Sequence, residues 1–166
     1  MIDIIIFITQ SIVIYILFFS ILSAFLKIMS LEYFLSVVHD LTHFKYKDTY
    51  IIIASSIFLS LELIFPILVF IKNDMYGFFI ISIISIYLIA SFIILPSIIK
   101  GSTKNCGCYG KFFKTKVSWK KLVENSIYIS FLIISLNLSI PHISKEMYVC
   151  GLFLLIIRIY FLRKGN

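Results

Sequence analysis

Cys106 and Cys108 stand one glycine apart in "TKNCGCYGKFF", a lysine-rich loop between long runs of isoleucine and phenylalanine. An i, i+2 pair in a turning backbone places its α-carbons inside the roughly 4.4–6.8 Å window of a disulfide, and Gly107 removes the side chain that would obstruct the bend. So small a ring reads as an exchangeable bond rather than a staple, because structural disulfides usually close larger loops. Lys104 and Lys111 beside it would stabilise a thiolate and favour exchange. Three other chemistries stay open. The pair could be half of a metal site completed by histidines, a palmitoylated thiol at the membrane edge, or two inert thiols. The remaining cysteine, Cys150, lies in an apolar run and reads as a small buried residue.

Charged residues inside apolar runs are the next candidates. Glu62 falls in the middle of one run, with Ser55 and Pro66 at helical spacing, and a carboxylate at that depth must be paired, protonated or facing a hydrated cavity. A bundle-stabilising ion pair with Lys27 is one reading; a proton relay or contact to a ligand such as a quinone is the other. Ser20, Ser23 and Lys27 share one helix face near the end of the first run. His39 and His43 in "VVHDLTHF" are four apart, yet two histidines in an amphipathic segment read as interfacial before they read as metal ligands.

The elements that position these residues follow from composition. The chain has 166 residues, 61% of them hydrophobic and 14% charged, with a mean hydropathy of +1.07, which is outside the range of a soluble domain. The net charge of +7 is carried by lysines between apolar runs, where it sets topology; this excludes a nucleic-acid partner. Runs at 4–26, 50–70 and 76–99 are long enough to cross a bilayer, and shorter ones at 122–140 and 147–162 follow. Glu124 and Asn125 are placed at the interface, and the first run reads as a retained helix rather than a signal peptide. Pro66 and Pro96 are expected to kink or end their helices, and Pro141 to close the fourth. The expected fold is all-α, a polytopic membrane bundle of four to five transmembrane helices forming one integral membrane domain over 1–166. Its polar loop is 100–121.

The segment "CGCYG", Cys106–Gly110, after the third run, followed by "VSWKKLVEN", Val117–Asn125, resembles the MauE family of methylamine-utilisation membrane proteins, grouped with DoxX-like redox-associated proteins. Lys27 and the Glu62 of "LELIFP" also look like family positions, and the likeness covers about three quarters of the chain. Tyr109 stands where the family usually shows Phe, and the fifth run is a further departure. The resemblance implies thiol–disulfide chemistry in the maturation of an exported protein, with a thioredoxin-like extracytoplasmic partner, in the bacterial inner membrane. Cys106 and Cys108 would be the redox pair. Gly107, Tyr109, Gly110, Lys104, Glu62 and Lys27 would support them, with no metal, no certain cofactor and a quinone as the candidate one. The alternative is a non-enzymatic membrane subunit or chaperone for an exported protein or peptide, or a small transporter component.

Two arguments about sidedness oppose each other. With five crossings the cysteine loop shares a side with most of the lysines, including Lys45, Lys47, Lys100 and Lys120, which favours the cytoplasm. A lasting disulfide belongs on the oxidising side, and the resemblance favours that side.

Overall fold

The computed structural model describes residues 2–42, 48–71, 73–101, 105–113, 115–138 and 144–164. Six α-helices account for most of them: α1 (Ile2–Ile28), α2 (Leu31–Thr42), α3 (Asp48–Ile71), α4 (Tyr76–Ile99), α5 (Trp119–Asn137) and α6 (Lys145–Lys164). A short 3-10 turn, Asn73–Met75, leads into α4. Among the described residues the only extended pairing is one antiparallel bridge, Asn105 with Lys116, which closes the neck of the cysteine loop.

The three long helices are the longest apolar runs of the sequence. Three stretches, Asp3–Ile28, Thr49–Ile71 and Tyr76–Ile99, are long and apolar enough to cross a membrane. At 1.5 Å per residue, 24 residues of α4 rise about 36 Å, more than the roughly 30 Å of a hydrocarbon core. α5 and α6 are 19 and 20 residues long. Both carry more charge than the long helices: Lys120, Lys121 and Glu124 occupy the first turns of α5, and α6 has Arg158 within it and Lys145, Glu146, Arg163 and Lys164 at its ends. Their outer faces are apolar all the same: Val123, Ile127 and Ile134 on α5, and Phe153, Ile156 and Phe161 on α6, are exposed. Such surface is stable against lipid tails and not against water. The chain is therefore a membrane protein in contact with the bilayer.

α1 is the axis of the bundle. It packs against α6, α3 and α5, while α4 bridges α3 and α5, and α2 lies over α3 and α4. The main core joins Val13, Ile16 and Phe19 of α1 to Val69 of α3, Phe79 and Ile83 of α4, and Leu132 of α5. Gly151 lets α6 approach α1 closely, since a Cβ there would stand 2.7 Å from Ile14 Cγ2. Cys150, expected to be buried, is a free, half-exposed thiol.

One expectation about boundaries is narrowed and one is corrected. Pro66 and Pro96 lie inside α3 and α4, neither of which ends at its proline. Each proline leaves the carbonyl four residues before it, that of Glu62 or of Phe92, without its intrahelical donor, and the helix runs on past it. The fourth apolar run begins as a helix at Trp119, not 122, so Lys120 and Lys121 belong to α5 rather than to the loop. Pro141 lies outside the described residues.

Candidate functional site

The cysteine loop is seated at the C-terminal ends of α1 and α4 and under α2. Cys106 and Cys108 are joined by a disulfide with their α-carbons 5.2 Å apart. The loop is pinned from both sides. Cys106 belongs to a small core with Val37 and Leu41 of α2, Ile94 and Ile98 of α4, and Val117. Tyr109, only 2% exposed, is part of the main core, with its ring edge-on to Phe19 and Phe113. Between these anchors the backbone turns through Gly107 and Gly110 at φ +66° and +57°, a region that L side chains rarely adopt. Ser30 completes the seat: its hydroxyl donates to the Leu26 carbonyl at 2.8 Å and accepts the Lys111 N–H at 3.1 Å. At the neck the Cys106 N–H donates to the Thr115 carbonyl at 2.7 Å.

Directly behind the loop lies the ion pair expected from the sequence. Lys27 Nζ donates to both oxygens of Glu62, at 2.8 and 2.6 Å, and both residues are buried. The Ser23 hydroxyl is 3.1 Å from Glu62 Oε1 and 2.9 Å from the Cys108 carbonyl. A hydroxyl carries one proton, so Ser23 couples the carboxylate to the cysteine loop through a single donor. The Phe34 and Phe58 rings flank the ammonium at 5.6 and 5.9 Å, the range of a cation–π contact. Ser20, the third residue of that helix face, pairs instead with the Tyr87 hydroxyl at 2.8 Å. Ser55 is buried on the Glu62 face as its spacing predicts.

The two cysteines and Lys27 also line one cavity of about 370 Å³ between α2, α3 and α4. Its walls are apolar, with Phe34 of α2, Phe58 of α3, and Ile89 and Ile93 of α4 among them. Of the lysines expected to flank the thiols, Lys104 lies outside the described residues, and the Lys111 ammonium is placed over the Phe112 ring, 5.9 Å from its centroid. The cation that shares a cavity with the sulfurs is Lys27. His43 also lies outside the described residues.

A second polar cluster was not foreseen. Glu124, placed at the interface by its sequence context, accepts hydrogen bonds from Arg158 of α6 at 2.6 Å and Tyr128 at 2.7 Å. Tyr128 is in turn 2.9 Å from the Tyr15 hydroxyl of α1. Lys121 donates to the Tyr109 hydroxyl at 3.0 Å and lies 3.4 Å from Glu124. The network thus ties α1, α5 and α6 to the loop through Tyr109. The signals in the sequence were slight: Glu124 and Tyr128 are four apart on one helix, and Arg158 is a lone charge in an apolar run. Asn125, which the motif placed at the start of a helix, lies in the second turn of α5 and donates to Ser91 of α4 at 3.1 Å.

The Tyr109 hydroxyl, which a phenylalanine would lack, gives Lys121 an acceptor besides Glu124. Tyr109→Phe is expected to leave the ring packing intact and remove the acceptor that Lys121 and Arg158 share, a loss of at least about 1.5–3 kcal/mol. A lower thermal midpoint in detergent, with the disulfide still formed, is the expected readout.

This is a membrane-embedded helical bundle that carries a cysteine-pair loop seated against a buried Lys–Glu pair. The family model described as Methylamine utilisation protein MauE matches residues 3–138, and the chain belongs to that family. Family and apolar helices together make it a membrane protein. Neither the curated proteins nor the solved structures gave a match. The matched stretch takes in the cysteine loop, Lys27, Glu62 and α5, and leaves α6 with its Arg158 beyond it.

Proposed function

We propose that the protein exchanges disulfides with an exported partner through Cys106 and Cys108, as part of that partner's disulfide-dependent maturation. The observation that carries this reading is the seating of the pair: the two sulfurs are held between two hydrophobic cores, on a loop that also lines an open cavity. Cys106 is buried and Cys108 half-buried, so an incoming thiolate meets the Cys108 sulfur first. That attack forms a mixed disulfide with Cys108 and releases Cys106 as the thiolate. A second thiolate of the partner then displaces Cys108, leaving the partner oxidised and the pair reduced. The thiolate that attacks is the partner's, and a thioredoxin-like extracytoplasmic protein or the exported client itself would supply it. The reading includes five crossings of the bacterial inner membrane, with the loop on the extracytoplasmic side. The paired charges and apolar outer faces of α5 and α6 support those last two crossings.

Cys106→Ser tests it. This variant should insert normally and fail to oxidise the reduced partner, while its lone Cys108 thiolate attacks the disulfide of already oxidised partner and holds it as a mixed disulfide that no second cysteine resolves; Cys108→Ser should trap little. Labelling of the reduced pair by a membrane-impermeant maleimide in intact cells, in a Cys150→Ser background, should place the loop outside. A Cys106→Ser protein that matures its partner normally would overturn the proposal and leave the loop as a structural turn of a membrane subunit.

A further inference from the structure

Exchange with a partner leaves the pair reduced, and something must take up two electrons and two protons before the next cycle. We infer that the cavity between α2, α3 and α4 binds a membrane quinone, which reoxidises Cys106 and Cys108; this rests on the exchange reading above.

Four features of the cavity define its ligand. Its volume of about 370 Å³ falls within the roughly 300–1,000 Å³ of small-molecule pockets, and its walls are almost wholly apolar. The outer faces of the helices that form it, with Ile52, Ile53 and Ile57 on α3 and Leu88 and Phe92 on α4, are exposed apolar surface that meets lipid. A ligand soluble in the bilayer therefore has a path to it. The aromatic rings of Phe34 and Phe58 line the cavity beside Lys27, which suits a planar ring. The ammonium of Lys27 is the cationic donor in the lining.

Charge distinguishes among the remaining ligands. Glu62 already neutralises Lys27, so the site carries no net positive charge from this pair to hold a phosphate or a fatty-acid carboxylate. An ammonium has three protons to donate, and Glu62 takes two of its hydrogen bonds, so one is left for a neutral carbonyl oxygen. A quinone presents such a carbonyl, and the hydrogen bond strengthens as charge grows on that oxygen during reduction.

The reaction balances without another reagent. Two S–H bonds break and one S–S bond forms between Cys106 and Cys108; two electrons pass to the quinone, and the two thiol protons end on its two oxygens as quinol. The quinol leaves for the bilayer, and the pair is ready for the next partner thiolate. Lys27 acts here as a hydrogen-bond donor to the substrate carbonyl, and Glu62 as the residue that positions it.

The test uses purified full-length protein in nanodiscs under anaerobic conditions, with decylubiquinone as the probe. Binding is read by equilibrium dialysis, and thiols are counted after the reduced, desalted protein is mixed with the probe. One quinol formed per pair of thiols lost is expected. Ala90→Trp and Ala54→Trp, both filling the cavity, should weaken binding at least about tenfold, the effect expected when a packed site loses its room. Phe92→Trp, on the lipid-facing side of α4, should bind as the unaltered protein does. Equal binding by all variants, extraction of phospholipid alone from the cavity, or thiols that survive the quinone would each overturn the inference. If those thiols still exchange with a dithiol probe, only the quinone site falls. If quinone binds but the pair never exchanges with thiols, the proposed function falls first.

Discussion

Glu62→Ala should destabilise the bundle by about 3–5 kcal/mol, the cost of leaving a buried charge without its partner. Lys27 would keep only the Phe34 and Phe58 rings, and contacts of that kind are worth about 0.5–2 kcal/mol, too little to hold an ammonium away from water. Ser23 would lose one of its two acceptors and keep the Cys108 carbonyl, so the damage should reach the seat of the cysteine loop. Lys27→Met should be comparably harmful, because the carboxylate would retain only the Ser23 hydroxyl. The decisive comparison is the double variant Lys27→Met with Glu62→Met. Replacing both members of a buried pair with apolar residues of similar volume is often neutral or stabilising. The double variant should therefore recover most of the thermal midpoint in detergent while failing to reoxidise its thiols. A double variant that stays as unstable as either single one would show that the pair is held by something besides mutual charge. A double variant with normal thiol chemistry would reduce the pair to a packing device.

The parts of this molecule that were legible in its sequence are those that depend on one segment at a time. α1, α3 and α4 are uninterrupted apolar runs, and their helical state follows from the bilayer's demand that backbone groups be satisfied within each segment. The face shared by Ser20, Ser23 and Lys27 is a consequence of helical spacing, and the ion pair of Glu62 with Lys27 was one of the readings that a carboxylate at that depth left open. The start of α5 was misplaced because Lys120 and Lys121 look like loop residues. Lys121 enters the helix because Tyr109 and Glu124 wait for it inside. For the same reason Glu124 resembled an interface residue until Arg158, 34 positions further on, was brought against it. The cavity could not have been read from any segment, since it exists only where α2, α3 and α4 meet the loop. α2 itself, a 12-residue amphipathic helix, read as an interfacial segment, and its place over the cysteines is set by packing that its own sequence does not carry.

The loop's glycines should fall in a steep order when each is replaced by alanine, because the three share a left-handed backbone and differ in their surroundings. Gly101, at φ +65°, has nothing within 4 Å of the added Cβ, so Gly101→Ala should cost only the backbone term of about 1–2 kcal/mol. At Gly107 the Cβ would meet Val37 Cγ1 at 2.9 Å, which adds about 1–3 kcal/mol of overpacking. Val37 is a side chain on α2 and can be shortened, so adding Val37→Ala should restore part of the loss. Gly110 has no such remedy. Its Cβ would collide with Ser30 Oγ and stand 2.7 Å from the Leu26 backbone carbonyl, which Ser30→Ala would not move. Gly110→Ala should therefore lift the loop off the end of α1, break the Lys111 to Ser30 hydrogen bond and draw Tyr109 out of the core. Limited proteolysis in detergent, read alongside the fraction of oxidised pair, should rank the variants Gly110, Gly107, Gly101 from most to least cleaved. If Gly110→Ala behaves like Gly101→Ala, the loop is not seated on α1 as described. Its cysteines would then owe their position to the small core with α2 and α4, and Val37, Ile94 and Ile98 rather than Ser30 would hold the redox pair against the cavity.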